Sequence, residues 1–393
     1  MRLNKRNPIH YFLFFQLLIN LIFVRLFYTF FKKTESENLS ITLLGQKLQG
    51  NTEVLFQNLD NYNLYYVTLS RKEYKYLLRK YENASNKQIL YYPNLKHFIQ
   101  AFKSSVLITS HGIFFNNYLK NIFHYKSIYA GNAISGLIIQ DRDLKNLYLH
   151  DSVWLFSNYE LEMYKKEFKY EKNNLEITGY PRIKHLIDNQ YKKSQLVKNG
   201  NFKNNIVLIA PTDDRNSKLY KSSEFFIFND NLLTNLDNLG NKYDISFIIK
   251  PHNKTIVSKK AKQTISDKSS LVLSENIECD TDYDLLIMSD LLITDWSTIY
   301  VDYLCLGRPI IFLDTPNPNK FPNSSVIELI TSSRPKNYEL LNNEIEAKLF
   351  KEIEDSSVIE LKNKFYENTD HSDSLNVINN ILKNINNKNF NEN

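Results

Sequence analysis

Residues 285–313 constrain the fold of this chain more than any other stretch. Two short apolar runs, residues 291–294 and 309–313, are separated by a segment in which apolar side chains recur every three or four positions. This pattern predicts a strand, a helix and a second strand, and Gly307 stands where helices commonly end in the left-handed conformation. Because a helical crossover joins parallel neighbours, the stretch predicts an α/β domain with a parallel sheet.

A polar turn follows the first of these strands directly. Its residues are Asp295, Trp296, Ser297 and Thr298. In open α/β sheets, ligands bind at the carboxyl ends of the strands, beside the free N–H groups of a helix N-terminus. Asp, Ser and Thr are also the preferred helix N-caps. Taken alone, the turn is therefore compatible with a plain helix cap or with a phosphate-binding site.

Composition bounds the broad class of the protein. At 393 residues, with 42% hydrophobic and 23% charged residues, the chain has the size and core content of two ordinary domains. The net charge of +6 is spread along the sequence, and no zinc spacing or nucleic-acid motif accompanies it, so a nucleic-acid partner is disfavoured. The only cysteines, Cys279 and Cys305, lack metal-ligand spacing, which favours a reducing compartment.

Residues 11–31 form an apolar segment that carries one charge, Arg25, and is long enough to span a bilayer. Basic residues flank it on both sides, and no small-residue cleavage site follows. Gln16, Asn20 and Arg25 do not share a helical face, so the pattern does not predict an amphipathic surface helix. We expect residues 1–33 to form a membrane anchor, either spanning or embedded, with a buried N-terminal helix of the first domain as the alternative.

Two further domains are expected after this segment. The first covers residues 34–195, the second residues 205–365, and residues 191–205 form the polar linker between them. Residues 366–393 are expected to form a C-terminal helix, able to pack back on the first domain, and a frayed tail. The predicted strands of the two domains cover residues 40–44, 53–56, 64–69, 88–91, 106–110, 153–157, 175–178, 205–209 and 245–249.

Several of these strands end in residues able to bind anions or transfer protons. His111, followed by Gly112, ends one of them, and its imidazole suits a general base as well as a structural role. Lys250 alone is typical of a solvated turn, but together with the turn at Asp295 it favours an anion pocket. The strand-end candidates are His111, Gly179, Pro181, Arg182, Thr212, Arg215, Lys250 and His252.

These motifs, taken in order, resemble the CDP-glycerol glycerophosphotransferase family of teichoic-acid and capsule polymer synthesis. The resemblance runs from Ser110 to Leu313. It is carried by Ser110-His111-Gly112, Thr178-Gly179-Tyr180-Pro181-Arg182, Ala210-Pro211-Thr212, Lys250-Pro251-His252 and the run from Ser289 to Thr298, which continues through Asp302-Tyr303 to Gly307-Arg308-Pro309.

The resemblance implies a GT-B-type fold, in which two Rossmann-like domains face a central cleft and the C-terminal one holds the nucleotide. It implies that His111 is the base on the acceptor hydroxyl and that His252 contacts the donor pyrophosphate. The donor-binding residues would then be Gly179, Pro181, Arg182, Thr212, Arg215, Lys250, Asp295, Ser297, Thr298 and Asp302.

The chain departs from the family pattern at three places. Ser110 precedes the His-Gly pair, Ile183 and Lys184 follow the Gly-Tyr-Pro-Arg turn, and two aspartates come before Arg215. These positions lie mostly on the acceptor side and around the donor's alcohol. The identities of the acceptor and of the polyol are therefore left open.

The expected function is transfer of glycerol phosphate, or a related alditol phosphate, from a CDP-alditol to a hydroxyl of a membrane-linked teichoic-acid or capsule glycan. The partners are then the CDP-alditol, the lipid-linked glycan and membrane lipid, with the catalytic body on the cytoplasmic side of the bacterial membrane. No metal cage is visible in the sequence, and a loosely held Mg²⁺ is left open. The alternatives are a nucleotide-sugar glycosyltransferase of the same fold and a non-catalytic membrane scaffold.

Overall fold

The computed structural model of the chain describes most of the sequence with internal gaps. The described residues are 8–26, 39–45, 47–83, 85–110, 112–113, 115–131, 141–166, 168–198, 200–212, 221, 223–252, 255–279, 281–316, 334–351, 356–366 and 373–391. His111 and Arg215 lie outside them, as do residues 1–7 and 27–33 of the predicted anchor.

Twelve strands are described, and all of them pair in parallel within two sheets. The first sheet contains β1 Ser40–Leu44, β2 Asn63–Thr68, β3 Lys87–Tyr91, β4 Val106–Thr109, β5 Lys126–Tyr129, β6 Ser152–Leu155 and β7 Leu175–Ile177, in the spatial order 3-2-1-4-5-6-7. The second contains β8 Asn205–Ile209, β9 Ile245–Ile249, β10 Leu271–Leu273, β11 Leu291–Thr294 and β12 Ile310–Phe312, in the order 10-9-8-11-12. The predicted α/β class with two parallel sheets is confirmed.

The described helices mostly alternate with the strands. They are α1 Pro8–Leu26, α2 Asn51–Asn58, α3 Arg71–Lys80, α4 Leu95–Phe102, α5 Asn116–Phe123, α6 Asp141–Leu147, α7 Asn158–Lys166, α8 Pro181–Asn189, α9 Lys193–Lys198, α10 Asp230–Tyr243, α11 Lys259–Ser266, α12 Asp282–Met288, α13 Ile299–Leu304, α14 Tyr338–Phe350, α15 Ser356–Tyr366 and α16 Asp373–Asn391.

The chain divides into two units, Met1–Lys184 with Asn368–Asn393, and His185–Glu367. In the first unit, alternate strand residues reach opposite faces of the sheet: Val106 and Ile108 join one apolar cluster and Leu107 joins another. Both faces are thus covered, which explains why the strands read as continuous apolar runs. The predicted linker, residues 191–205, contains α9, and the common cleft expected between the two domains stays a prediction.

Three sequence predictions of local structure require correction. Residues 53–56 were expected to form a strand but belong to α2, in which all residues from Asn51 to Phe56 are buried. Full burial removes the polar side of the helical pattern, so its short apolar run resembles a strand. Strand β5 was missed because its four residues lack a clear apolar run, and β10 because its apolar run is only three residues long.

Helix α1 occupies most of the segment predicted as a membrane anchor. Among the described residues, no helix combines the length and the apolar character that crossing a membrane requires. Leu17, Leu21 and Val24 are instead buried in an apolar cluster of the first unit, together with Phe98. The described part of the segment is therefore packed as a helix of the first domain, which was the alternative expectation.

The C-terminal helix α16 also belongs to the first unit. Its Ile378 and Leu382 are buried in the same cluster as Ile41 and Leu43 of β1. The Tyr62 hydroxyl donates a 2.5 Å hydrogen bond to the Asn379 side chain, which fixes the helix at the edge of this core. The chain thus returns to the first unit after it has completed the second.

Candidate anion-binding site

The two central strands of the second sheet, β8 and β11, are neighbours although the chain builds β9 and β10 between them. The connections that follow β8 and β11 therefore leave in opposite directions along the sheet. At such a switch point, a crevice opens at the carboxyl ends of the two strands, and this is where ligands bind in open α/β sheets. The residues that follow these strands are Ala210, Pro211 and Thr212 on one side and Asp295 on the other.

The Asp295 carboxylate joins these two strand ends. Its Oδ1 accepts hydrogen bonds from the backbone N–H of Thr212, at 2.7 Å, and from that of Trp296, at 2.6 Å. Its Oδ2 accepts a bond from the Thr315 hydroxyl at 3.2 Å. One step back along β11, the Thr294 hydroxyl donates to the Ala210 carbonyl at 2.7 Å. The loop after β8 is thus fixed directly to the loop after β11.

Asp295 is fully buried, with no exposed surface. Burial raises the pKa of its carboxyl group, and the hydrogen bonds from Thr212, Trp296 and Thr315 and the nearby charge of Arg334 oppose that rise. Its oxygens accept hydrogen bonds from protein donors and are shielded from solvent. Asp295 therefore stabilises the turn from the interior of the protein. In the described structure it connects the loop after β8 to the turn after β11.

Trp296 and Arg334 form a second layer around this turn. The guanidinium of Arg334 lies over the Trp296 ring at 4.1 Å from its centre and donates to the Leu313 carbonyl at 2.6 Å. The Trp296 indole N–H donates to the Thr315 carbonyl at 2.9 Å. Burial lowers the pKa of Arg334, while the charges of Asp295 and Asp314 act in the opposite direction. The positively charged guanidinium of Arg334 thus lies against Trp296, in the turn that follows β11.

The two hydroxyl residues of the turn lead into α13. The Ser297 hydroxyl accepts a 3.4 Å bond from the Ile299 N–H, and Thr298 occupies the N-cap position without a side-chain cap bond. Both residues are half-buried. Asp302 is buried on α13, and its charge adds to the burial that raises the pKa of the Cys305 thiol to about 12. Ser297 therefore has a capping contact, and the Thr298 side chain has none.

Lys250 and His252 follow β9, the strand next to β8. The Lys250 backbone N–H donates to the Ile209 carbonyl at 2.9 Å, and its ammonium lies 3.2 Å from the Asp282 carboxylate. The Lys250 side chain is 14% exposed and that of Asp282 is 55% exposed. The His252 carbonyl accepts a bond from the Thr255 N–H at 2.8 Å, and the residue is half-buried. The ends of β9, β8 and β11 thus carry Lys250, Thr212 and Asp295 along one edge of one sheet.

Gly179, Pro181 and Arg182 lie in the first unit, where β7 leads into α8. Gly179 has a φ of 64°, which favours glycine, and Pro181 is the first residue of the helix. Arg182 is buried, with its guanidinium 4.6 Å from the centre of the Tyr180 ring, and its N–H donates to the Asn51 side chain at 3.3 Å. Their predicted grouping with the residues of the second unit stays a prediction.

The first sheet has its own switch point, between β1 and β4. Strand β4 ends at Thr109, Ser110 is buried, and Gly112 has a φ of 80° with no atom within 4 Å of the position that a Cβ would occupy. His111 lies between Ser110 and Gly112 and outside the described residues, as does Arg215. In the sequence, His111 thus follows the end of β4 by two residues.

Sequence reasoning missed two residues of the second-unit site. Thr315 follows β12, so the strand-end rule that selected the other candidates could also have selected it. Arg334 follows no described strand and belongs to no recognised motif, and only the three-dimensional contact with Trp296 reveals it. Within the part of the chain that the structure describes, no group of three or more His, Cys, Asp or Glu side chains is arranged to hold a metal ion.

Comparison with known proteins agrees with the resemblance seen in the sequence. The model of a family described as CDP-Glycerol:Poly(glycerophosphate) glycerophosphotransferase matches residues 25–383. The teichoic acid poly(glycerol phosphate) polymerase of Bacillus spizizenii is 28% identical over 158 residues, which are 39% of this chain and 38% of that protein. The minor teichoic acid biosynthesis protein GgaB of Bacillus subtilis is 24% identical over 293 residues, 68% of this chain and 30% of that protein. The chain thus spans well under half the length of these relatives.

Solved structures extend the comparison to the fold. The wall teichoic acid polymerase TagF superimposes with a TM-score of 0.65 at 14% identity, over 96% of this chain and 98% of that chain. The UDP-GlcNAc 2-epimerase of Neisseria meningitidis, bound to UDP-GlcNAc, gives a TM-score of 0.53 at 14% identity, over 88% and 99% of the two chains. At this level of identity, both similarities concern the fold alone.

Proposed function

The chain belongs to the CDP-glycerol:poly(glycerophosphate) glycerophosphotransferase family, and from this premise we propose that it transfers glycerol phosphate from CDP-glycerol to a hydroxyl of a teichoic-acid polymer. CMP is the second product. The acceptor hydroxyl belongs to a glycan or growing polymer linked to membrane lipid. The enzyme then works at the cytoplasmic face of the bacterial membrane, where both the nucleotide donor and the lipid-linked acceptor are available.

One observation carries this proposal beyond the family assignment. Thr212 and Asp295 are hydrogen-bonded across the switch point of the second sheet, which fixes two loops at the edge where Lys250 also lies. A nucleotide diphosphate requires fixed N–H groups and a cation at such an edge. We assign the donor to this unit, with Thr212, Arg215, Lys250, Ser297 and Thr298 around its phosphates.

The remaining family positions take two kinds of role in the proposal. Asp295 acts through the two loops that it holds, and Asp302 is likewise buried, on α13. Gly179, Pro181 and Arg182 complete the donor-binding set from the family motif that they match. The expected cleft between two facing domains belongs to this proposal as well.

The reaction is a phosphoryl transfer. An oxygen of the acceptor hydroxyl attacks the phosphorus that carries glycerol, and the bond from that phosphorus to the bridging oxygen breaks. CMP leaves with the bridging oxygen, and the proton of the acceptor hydroxyl passes to the imidazole of His111. Catalysis then consists mainly of positioning and of neutralising charge on the leaving CMP, for which Lys250 and His252 are the proposed groups.

Release of CMP tests the proposed donor. Purified protein is incubated with CDP-glycerol, CDP-ribitol or a UDP-sugar, together with a lipid-linked polyol-phosphate acceptor, and the released nucleotide is measured. We expect CMP from CDP-glycerol only when the acceptor is present. Turnover of a UDP-sugar without release of CMP from either CDP-alditol would replace this proposal with a glycosyltransferase of the same fold.

A variant of His111 tests the proposed base. His111→Ala should lower kcat by about a hundredfold or more, since general-base catalysis contributes about 10²–10⁴-fold. The matched control is His124→Asn, because His124 is exposed and has a φ of 56°, a conformation that asparagine tolerates. If His111→Ala, and separately His252→Ala, left polymer synthesis in cells undiminished, a non-catalytic scaffold would be the better assignment.

A further inference from the structure

Arg334 lies against the ends of two paired strands, β11 and β12. Its guanidinium carbon is 4.1 Å from the centre of the Trp296 ring and 5.8 Å from that of the Phe312 ring. Its Nη1 donates a 2.6 Å hydrogen bond to the Leu313 carbonyl. These contacts fix a planar cation at the carboxyl edge of the second sheet, beside the turn that follows β11.

The charge of Arg334 acts on the buried carboxylate of Asp295. Burial raises the pKa of the Asp295 carboxyl group, and the positive charge of Arg334 is among the influences that lower it. Burial lowers the pKa of the Arg334 guanidinium, and the charges of Asp295 and Asp314 raise it. Each member of the pair Arg334 and Asp295 therefore stabilises the charged form of the other. Asp314 is exposed, so water screens its charge, whereas Asp295 has no exposed surface.

A packing role alone would leave this pairing unexplained. Arginine often stacks on tryptophan, but a neutral side chain of similar size would also cover the Trp296 ring. A buried carboxylate, by contrast, requires hydrogen bonds and an opposite charge to stay ionised. A protonated Asp295 would be a weaker acceptor for the N–H groups of Thr212 and Trp296. The conformation of the turn therefore depends on the charge of Asp295 and, through it, on Arg334.

We propose that Arg334 is a positioning residue of the donor site, which balances the charge of Asp295 and fixes the ring of Trp296. The turn that begins with Asp295 and Trp296 then presents Ser297 and Thr298 in one conformation. The inference rests on the proposed function, in which these two hydroxyl residues lie around the phosphates of the donor. Arg334 acts on the donor through this turn and is not itself a ligand of the phosphates.

The fluorescence of Trp296 tests the inference without any substrate. The chain contains two tryptophans, so Trp154→Phe leaves Trp296 as the only one. In this background, Arg334→Gln should shift the Trp296 emission to longer wavelength, because the ring loses the guanidinium that covers it. The shift should be larger at pH 6 than at pH 8.5. Removing the cation raises the pKa of Asp295, so its carboxyl group becomes protonated as the pH falls and releases the Trp296 N–H.

Three further variants separate charge from packing. Arg334→Lys keeps the positive charge and should make the emission independent of pH again. Lys336→Gln removes an exposed cation two residues away and should behave like the wild type at both pH values. The double variant Asp295→Asn/Arg334→Gln has no ionisable group at this pair, so its emission should not depend on pH. If Arg334→Gln alone did not fold, as judged by circular dichroism, the double variant should fold, because it buries no unpaired charge.

The KM for CDP-glycerol tests the effect on the donor. Release of CMP is measured at pH 8.5 and at pH 6, and the KM of Arg334→Gln is divided by that of the wild type. Titration of groups that both proteins share then cancels in the ratio. The ratio should be about tenfold or more at pH 6 and smaller at pH 8.5, while kcat changes by less than about threefold.

Two kinds of result would overturn the inference. An emission shift and a KM ratio that are absent, or equal at both pH values, would show that Arg334 at most packs on Trp296. A pH dependence that Arg334→Lys does not remove, or that persists in the double variant, would exclude the pairing with Asp295, as would a double variant that does not fold. If the wild type released no CMP from CDP-glycerol, the proposed function would fail, and the emission of Trp296, which needs no substrate, would still decide the inference.

Discussion

The backbone N–H of Thr212, which follows one strand, donates a 2.7 Å hydrogen bond to the carboxylate of Asp295, which follows the neighbouring strand. Asp295 is fully buried, so the carboxylate sits within the protein and the Thr212 loop lies above it. The conformations of the Thr212 loop and of the turn at Trp296 therefore depend on the Asp295 side chain. A change at Asp295 should therefore disturb the donor site without removing any group that contacts the donor.

Asp295→Ala should loosen both loops. The N–H groups of Thr212 and Trp296 lose their acceptor, and leaving a buried polar group without a partner costs about 1–3 kcal/mol. Hydrogen exchange followed by mass spectrometry should show faster exchange in peptides that cover residues 205–212 and 291–298. The KM for CDP-glycerol should rise by about tenfold or more.

The matched control for that variant is Asp314→Ala. Asp314 lies near the same turn but is exposed. Its loss should leave hydrogen exchange in the two peptides unchanged. If Asp295→Ala also left exchange and KM unchanged, Asp295 would not position these loops.

Lys250 should bind the phosphates of the donor directly. Its ammonium is mostly buried and lies 3.2 Å from Asp282, a partner that is itself more than half exposed. Lys250→Gln should raise the KM for CDP-glycerol about tenfold, since charge-assisted bonds to phosphate contribute about 1.5–3 kcal/mol. The variant should also show a weaker dependence of KM on salt than the wild type.

Two further variants separate this role from a structural one. Asp282→Asn removes the partner of Lys250 but keeps the cation, so KM should not rise. Lys260→Gln removes an equally charged side chain that is exposed and pairs with Asp230, and it should leave KM unchanged. If Asp282→Asn weakened donor binding as much as Lys250→Gln, the ion pair and not the free cation would matter.

Arg308 should stabilise the second unit through the end of α12. Its Nη1 donates to the carbonyls of Leu286, Ile287 and Ser289 at 3.4, 2.6 and 2.5 Å. These carbonyls lie in the last turn of the helix and just after it, where intrahelical donors are absent. Arg308→Lys should lower the free energy of unfolding of this unit by about 1–2 kcal/mol, because the lysine side chain is one bond shorter and its ammonium cannot reach the position of Nη1.

Urea unfolding with circular dichroism measures the effect of Arg308→Lys. The control is Lys259→Arg, the reverse exchange at an exposed position of the same unit, which should change stability by less than about 0.5 kcal/mol. An unfolding midpoint equal to that of the wild type would show that water replaces the guanidinium at these carbonyls without cost.

Much of the second unit could be predicted from the sequence, because its strands and turns are marked by residues that are close together along the chain. Gly307 was expected in the left-handed region and has a φ of 66°, and the strands on either side of α13 were placed within one or two residues. The Asp295 turn was located, but not the burial of its carboxylate, because the contact with Thr212 joins two distant parts of the chain. Arg334 was missed for the same reason.

In the first unit, two predictions made from local sequence patterns differ from the structure. Residues 53–56 were predicted to form a strand, although they belong to α2, a helix buried along most of its length. In α1, the apolar run predicted a membrane anchor, but Leu17, Leu21 and Val24 pack into an apolar cluster of the first unit. Both differences depend on which side of a helix meets the core, and that is decided by the packing of distant segments.

His150 should make the first unit less stable in mild acid. The residue is 1% exposed, and its Nδ1 has no hydrogen-bond partner within the described structure. Burial lowers the pKa of His150 to about 3; the charges of Lys120 and Lys172 lower it further, while Asp151 opposes them. Between pH 3 and about 6.5, the unfolded chain binds a proton that the folded unit excludes, so the free energy of unfolding falls as the pH falls.

The expected loss between pH 7.5 and pH 5 is about 2 kcal/mol. His150→Leu should remove this loss and change stability little at pH 7.5, because the side chains are similar in size. Trp296→Phe leaves Trp154 of β6 as the only tryptophan, so its fluorescence reports urea unfolding of the first unit. Burial lowers the pKa of His97 in the same unit, but His97 is present in both proteins and its effect cancels in the difference. An equal pH dependence with and without His150→Leu would show that the buried imidazole does not cause the acid sensitivity.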